Sequence, residues 1–475
     1  MAPPPSVTVI EDGRVAVPPP PPPASGDAAP PPQTTLFKLT ALDAQWIPLP
    51  LIQRVLVFDG GEGRIPPFED VVAALRASLA ETVARLLPLA GRIVHLPETG
   101  EAAIDCSGRG VAGGGVRFVV AECGGADAAR VARDADHDVA LLEQLAPVLD
   151  ADALPAETMA AQVTRLGGGG GGGVAVGVAL HHAVADGRSV WRFIEAWAAC
   201  CRGDDAWSAA PAPAFDRAAV ALPDGEELAR DVLRKYVPNL PVATVPKFLV
   251  KGRLQLSRRT FTVAAAQMLR LKQRIVVAGA GGLTPPSGFV ALAALAWVSF
   301  VRSKHAAGAI AAGDEVYLFF FIDCRGRRAA FDPPVGEARP PRRGFFGTCI
   351  SGCLATATAR DLLGGGDGGL VAAARAVQEE VRRAAEDPLA GWEWMSLVGR
   401  IALSRLVNMS GSTRFPAYEA ADFGWGSPSR TELVTMNHGG QVVLVAAKGG
   451  GVQASVSMKP EHMDKFKSDF ESYLE

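Results

Sequence analysis

The 475-residue chain holds only seven cysteines, and their spacing follows no metal-ligand pattern. An odd, scattered set excludes a disulfide framework and a zinc module, and fits reduced thiols in a cytosolic protein. The adjacent Cys200 and Cys201 fall in a helical pattern beside Trp197 and read as packing residues. Charge of one sign is also missing: 47 basic and 50 acidic residues are mixed along the sequence, for a net charge of −3. Without a basic block or an acidic tail, binding to nucleic acid or a membrane surface has no electrostatic support. No apolar run reaches the roughly 20 residues of a membrane-spanning helix. The N-terminus carries Pro3-Pro4-Pro5 but neither the basic nor the apolar region of a secretory signal. A cytoplasmic, monomeric protein is expected.

Hydrophobic residues, at 48%, are plentiful. A chain this long exceeds a single core, so two domains are expected. The pattern places them at residues 1–202 and 247–475, joined by a crossover over 203–246 with a helical piece at Glu226–Lys235. Val7–Ile10 and Val15–Val17 look like a short hairpin around Asp12-Gly13. Pro18–Pro32 cannot donate ladder hydrogen bonds and reads as a disordered, solvated insertion. The heptaglycine run Gly167–Gly173 leads into a strand, as a hairpin tip does, whereas a phosphate-cradling loop would lead into a helix. Val190, Phe193, Ile194 and Trp197 share one helical face. Further on, Phe261–Ile275, Phe289–Val301 and Leu370–Ala385 read as helical, Val316–Ile322 as a buried strand, and Gln441–Ala447 and Gln453–Met458 as late strands before a closing helix. Alternation of this kind predicts an α/β fold.

Val174–Leu180 is an apolar run that ends in His181-His182-Ala183-Val184-Ala185-Asp186-Gly187. A buried strand ending in histidine holds one imidazole rigidly, and imidazole is suited to general-base work near neutral pH. Some 240 residues later stands Asp422-Phe423-Gly424-Trp425-Gly426. This HxxxDG…DFGWG pair resembles the signature of the plant BAHD acyl-CoA-dependent acyltransferases. The likeness extends to Leu39–Asp59, to Leu75–Arg92 (a first long helix and a "PLAGR" turn), and to Phe320–Arg325 with its "DCR". Phe345-Phe346-Gly347-Thr348-Cys349 is similar to the "YFGNC" of the clade acting on anthocyanins and other flavonoid or phenolic glucosides, with Phe for Tyr and Thr for Asn. The resemblance implies two similar chloramphenicol-acetyltransferase-like domains with a solvent channel between them.

Acyl transfer from a thioester to a hydroxyl needs a base, an environment for the oxyanion, and departure of the thiolate. His182 is the expected base. His181, pointing to the other side of the strand, is expected to be structural. The resemblance implies direct attack in a ternary complex. It also pairs Asp186 with Arg325, fixing the loop rather than relaying a proton, while Gly187 permits the turn. Asp422 is a candidate for catalysis or coenzyme A contact, although Phe423, Gly424, Trp425 and Gly426 suit a packed structural loop better. A thiol nucleophile at Cys349 or Cys353 lacks a paired base. Adjacent histidines on a strand diverge, so His181, His182 and Asp186 do not make a metal site.

The co-substrate implied is an acyl-CoA, malonyl-CoA or a hydroxycinnamoyl-CoA, with no permanently bound cofactor, and the acceptor is a small molecule. Arg188 and Arg192 could meet a malonyl carboxylate. Thr284–Ser287, with Ser287 foremost, and the basic run Lys251–Arg259 are placed near coenzyme A by position alone. O-acylation of a flavonoid or phenolic glucoside is the leading reading. N-acylation of a polyamine or aromatic amine is its rival within enzymes, and a silent binding protein its rival from another class.

Overall fold

A computed structural model describes residues 5–18, 35–61, 65–107, 115–167, 172–204, 213–245, 252–280, 282, 284–327 and 344–475. The strand Gly173–Leu180 shows how sequence builds the fold. All eight of its residues are buried. Its valines favour extended backbone, and antiparallel partners flank it: Leu180 stands opposite Met159 on one side and Ile52 on the other. A strand covered on both edges carries a continuous apolar run instead of an alternating one.

Around it a six-stranded sheet runs in the order Thr8–Val15, Val116–Cys123, Met159–Leu166, Gly173–Leu180, Ile52–Phe58, Arg430–Leu433. Its last strand comes from far along the chain and pairs antiparallel with Ile52–Phe58. A second six-stranded sheet runs Ser257–Val263, Val452–Met458, Gln441–Ala446, Leu406–Gly411, Glu315–Asp323, Ile350–Thr358. Four short strands, Leu36–Lys38, Glu101–Asp105, Arg92–Leu96 and Ala156–Glu157, form a third. Helices Phe68–Arg85 and Gly187–Cys201 pack together, and helix Gly288–Ala306 lies between Gly368–Glu386 and Pro460–Ser472. From Val290 to Val301 every residue of that central helix is buried, the signature of a helix apolar all round. The architecture is α/β. Among the described residues no helix is long and apolar enough to cross a membrane.

One local expectation fails. Residues 7–17 form no hairpin; Thr8–Val15 is one strand running through Asp12-Gly13 and pairing with Val116–Cys123. A two-armed hairpin alone is marginal, and a long neighbouring edge offers more ladder bonds. The first long helix starts at Phe68, ahead of Leu75, and ends at Arg85, while Leu87–Ala90, in the expected PLAGR turn, is a 3-10 turn. Pro88 cannot continue the α-helical hydrogen bonding. The proline-rich segment from residue 19 and glycines 168–171 lie outside the described residues, although the strands on either side of the glycines do pair antiparallel.

Candidate active site

At Leu180 the ladder ends. The His181 N–H donates to the Thr158 carbonyl at 2.8 Å, and the chain turns. His181 is fully buried, its Nδ1 accepting the Ala183 N–H at 3.2 Å. His182 keeps part of its surface open, with its ring flat against Trp46: the centroids are 3.6 Å apart and the planes differ by 8°. Nδ1 of His182 is buried and takes no hydrogen bond from or to another residue. Nε2 is therefore the ring nitrogen available to a substrate. Burial pulls the His182 imidazole down to about 4, its own carbonyl and Asp186 offsetting this only in part, and pulls His181 to about 3. Both rings are neutral at pH 7, the form a base requires.

Asp186 is spent on the loop. Its Oδ1 accepts the Ser189 N–H at 3.0 Å, capping helix Gly187–Cys201, and Oδ2 accepts the Cys349 N–H at 3.1 Å. Oδ2 also meets Arg325 Nη1 at 2.7 Å, with both side chains 1% exposed. Arg325 reaches further, donating to the carbonyls of Phe345 and Gly347 at 3.0 and 2.8 Å and to Ser189 Oγ at 3.2 Å. Burial alone would depress this guanidinium, but Asp186 and Asp323 reverse the balance and the net shift is upward. Thr348 Oγ1 donates to the His182 carbonyl at 3.3 Å, and the Thr348 N–H to Asp43 Oδ1 at 3.3 Å. Asp43 is itself buried against Arg217, at 3.1 Å. The FFGTC segment is thus a backbone clamp around the histidine loop, drawing on both large sheets.

The Transferase family profile matches residues 27–473 of the chain. The chain belongs to this family, the BAHD acyltransferases. It is 25% identical over 450 residues to a coumaroyl-CoA:anthocyanidin 3-O-glucoside-6''-O-coumaroyltransferase of Arabidopsis thaliana, covering 92% of each. It is 26% identical over 455 residues to a phenolic glucoside malonyltransferase of the same plant, covering 90% of this chain and 91% of the relative. Vinorine synthase shares the fold, with a TM-score of 0.69, 18% identity and 98% of both chains covered.

In this acyltransferase the DFGWG loop stands away from the histidine. Asp422 Oδ1 accepts the N–H groups of Gly424 and Gly426 at 2.8 and 3.0 Å. Those glycines have φ of 111° and 93°, a region side chains avoid. Phe423 meets Trp197 edge-on at 5.2 Å, Trp425 packs on Phe58, and the Arg202 guanidinium donates to the Asp422 carbonyl. These contacts sit at the C-terminal end of helix Gly187–Cys201, whose 15 residues span about 22 Å. His182 precedes its other end. Asp422, a catalytic candidate by sequence, has here the geometry of a loop staple. Asp422→Ala should cost about 1–2 kcal/mol in chemical denaturation through two lost charge-assisted bonds, with kcat of the folded enzyme nearly unchanged.

Gly187 is the first residue of the helix and has no positive φ. Its smallness matters instead, since a Cβ there would stand 3.3 Å from the Phe415 ring. Arg188 Nη1 is held by Asp323 at 2.6 Å, and Arg192 donates to the Gly344 carbonyl at 3.1 Å, so both arginines are already engaged. Ser287 caps helix Gly288–Ala306 through the Val290 N–H, at 3.2 Å. In the basic run, Arg253 pairs with Glu143 and Arg259 with Asp136, while Arg258 is buried on the Val434 and Met436 carbonyls. Burial raises the thiols of Cys349 and Cys353, the latter to about 12, which leaves neither a nucleophile. Among the described residues no group of three His, Cys, Asp or Glu side chains could hold a metal.

Sequence reasoning missed the aromatic wall. Trp46 lies 4.7 Å from Trp394 and 5.5 Å from Phe321, which meets Trp394 edge-on at 5.4 Å. Gln45 Nε2 ties the same turn to the Trp392 carbonyl at 2.8 Å. Trp394 and Phe321 are half-buried, and Trp394 Nε1 is buried without a partner.

Proposed function

We propose that the enzyme moves a hydroxycinnamoyl group from coenzyme A to a hydroxyl of a phenolic or flavonoid glucoside. The observation that carries this is the wall of Trp46, Phe321 and Trp394 beside His182, which suits a flat aromatic ring. The arginines suited to a malonyl carboxylate are engaged by Asp323 and by backbone carbonyls. Relatives named as coumaroyltransferase and as malonyltransferase are nearly equally similar, so resemblance does not choose the donor.

In this reading both substrates meet in a channel at His182. Nε2 takes the acceptor hydroxyl proton as the oxygen attacks the thioester carbonyl. The tetrahedral adduct collapses by breaking the C–S bond, and the thiolate takes the proton from the imidazolium. A thiolate leaves readily, so no acyl-enzyme is needed. The test is coenzyme A release with p-coumaroyl-CoA or malonyl-CoA against an anthocyanin glucoside and a polyamine. We expect p-coumaroyl-CoA with the glucoside to exceed malonyl-CoA by tenfold or more in kcat/KM. A malonyl preference would overturn the donor assignment, and turnover with the polyamine alone would overturn the acceptor assignment.

A further inference from the structure

A histidine base becomes an imidazolium at the moment of proton transfer, and many such bases have a carboxylate on the far ring nitrogen to stabilise it. His182 has none. No other residue hydrogen-bonds its buried Nδ1, its own carbonyl offsets burial only in part, and both oxygens of Asp186 are committed to Ser189, Cys349 and Arg325. What lies against the ring is an indole face, 3.6 Å away and within 8° of parallel. An indole presents a negative π-face and binds cations better than any other side-chain ring.

We infer that Trp46 is a positioning residue whose indole face stabilises the His182 imidazolium formed during transfer, in place of a carboxylate partner. The inference rests on the reading of His182 as the base. Trp46 is only 6% exposed and is fixed from several sides. The Thr40–Asp43 capping box shapes the turn before it, Asp43 is anchored by Arg217, Gln45 reaches the Trp392 carbonyl, and Trp394 and Phe321 back the indole. A ring so held keeps its face on His182 through the reaction, and costs no reorganisation when the charge appears.

The groups around the imidazole supply only part of this stabilisation: Asp186 and the ring's own carbonyl favour the charged form without offsetting burial. Asp186, on the same loop, is neutralised by Arg325 from the end of the strand Glu315–Asp323. Asp43, on the helix Ala41–Ala44, is neutralised by Arg217 from the crossover. His181 is buried and neutral, and Phe321 and Trp394 bring no charge.

Fluorine on the indole drains the π-face while barely changing its shape. The test is site-specific incorporation of mono-, di- and trifluorinated tryptophan at position 46, read as the single-turnover rate of coenzyme A release. Packing and desolvation stay constant along the series, so a merely structural role would not move the rate. The expected result is a stepwise fall totalling roughly 3- to 30-fold. The acid limb of the pH profile should move to lower pH at the same time, because a weaker face disfavours the protonated ring. Trp46→Phe should retain more activity than Trp46→Leu. A flat rate and an unmoved limb across the fluorinated series, in protein with an unchanged melting temperature, would overturn the inference while leaving His182 as the base. Full activity in His182→Ala would remove the base, and the inference with it.

Discussion

His182→Ala is expected to lower kcat by about 10²- to 10⁴-fold, the range a positioned general base contributes. The protein should stay folded, because His182 is partly open and its Nδ1 hydrogen-bonds no other residue that its loss would orphan. Activity would be read as coenzyme A release and folding as the thermal melt of the same preparation. The pH dependence of the unaltered enzyme follows from the same geometry. With the imidazole near 4, the base is neutral from pH 7 down to about pH 5, so kcat/KM should stay flat there and fall only as the ring protonates near pH 4. Stability declines over the same range for a related reason. Below about 6.5 the unfolded chain takes up protons that His181 and His182 refuse in the folded state, so the unfolding free energy falls as pH falls. Melts at each pH separate the two effects. An acid limb near 6.5 would mean a solvated imidazole, and unchanged turnover in His182→Ala would sink the mechanism.

The histidine loop was legible in sequence because each of its parts is local. An apolar run marked the strand, Asp186 stands one residue before the helix it caps, and the face of Val190, Phe193, Ile194 and Trp197 announced the helix that follows. The helix Gly288–Ala306 and the paired late strands were legible for the same reason. What the sequence hid is non-local. Trp46 and His182 lie 136 positions apart, and Trp394 joins them from another sheet's surroundings. No periodicity encodes such a meeting. At Gly187 the motif suggests a turn, and what the fold adds is the Phe415 ring packed against it, which limits its size. The partners of the arginines were hidden because a sequence shows charge without showing what meets it: Asp323 is 135 positions from Arg188. In the DFGWG loop, phenylalanine and tryptophan between glycines favour packing over chemistry, and both rings pack, on Trp197 and Phe58. The loop's place at the far end of the helix is set by tertiary contacts to Trp197 and Arg202.

Breaking the Asp186–Arg325 pair is the second large effect expected, and its pattern separates a loop anchor from a proton relay. Asp186→Ala should cost about 3–5 kcal/mol of stability, the scale for leaving one member of a buried ion pair without the other. It also strips the helix cap and the bond from the Cys349 N–H. Arg325→Ala should cost less, because Asp186 keeps both N–H donors and the positive end of a helix. Asp186→Asn retains the shape and can still accept the Ser189 N–H, so it should fall between wild type and Asp186→Ala. The double variant should be milder than the sum of the singles, and a double-mutant cycle from urea denaturation would give the coupling. Activity should follow stability through the series, since the loop that carries Asp186 also aims His182 and the Thr348 hydroxyl holds its carbonyl. The opposite pattern, an inactive Asp186→Asn as stable as wild type, would assign the carboxylate to the proton's path.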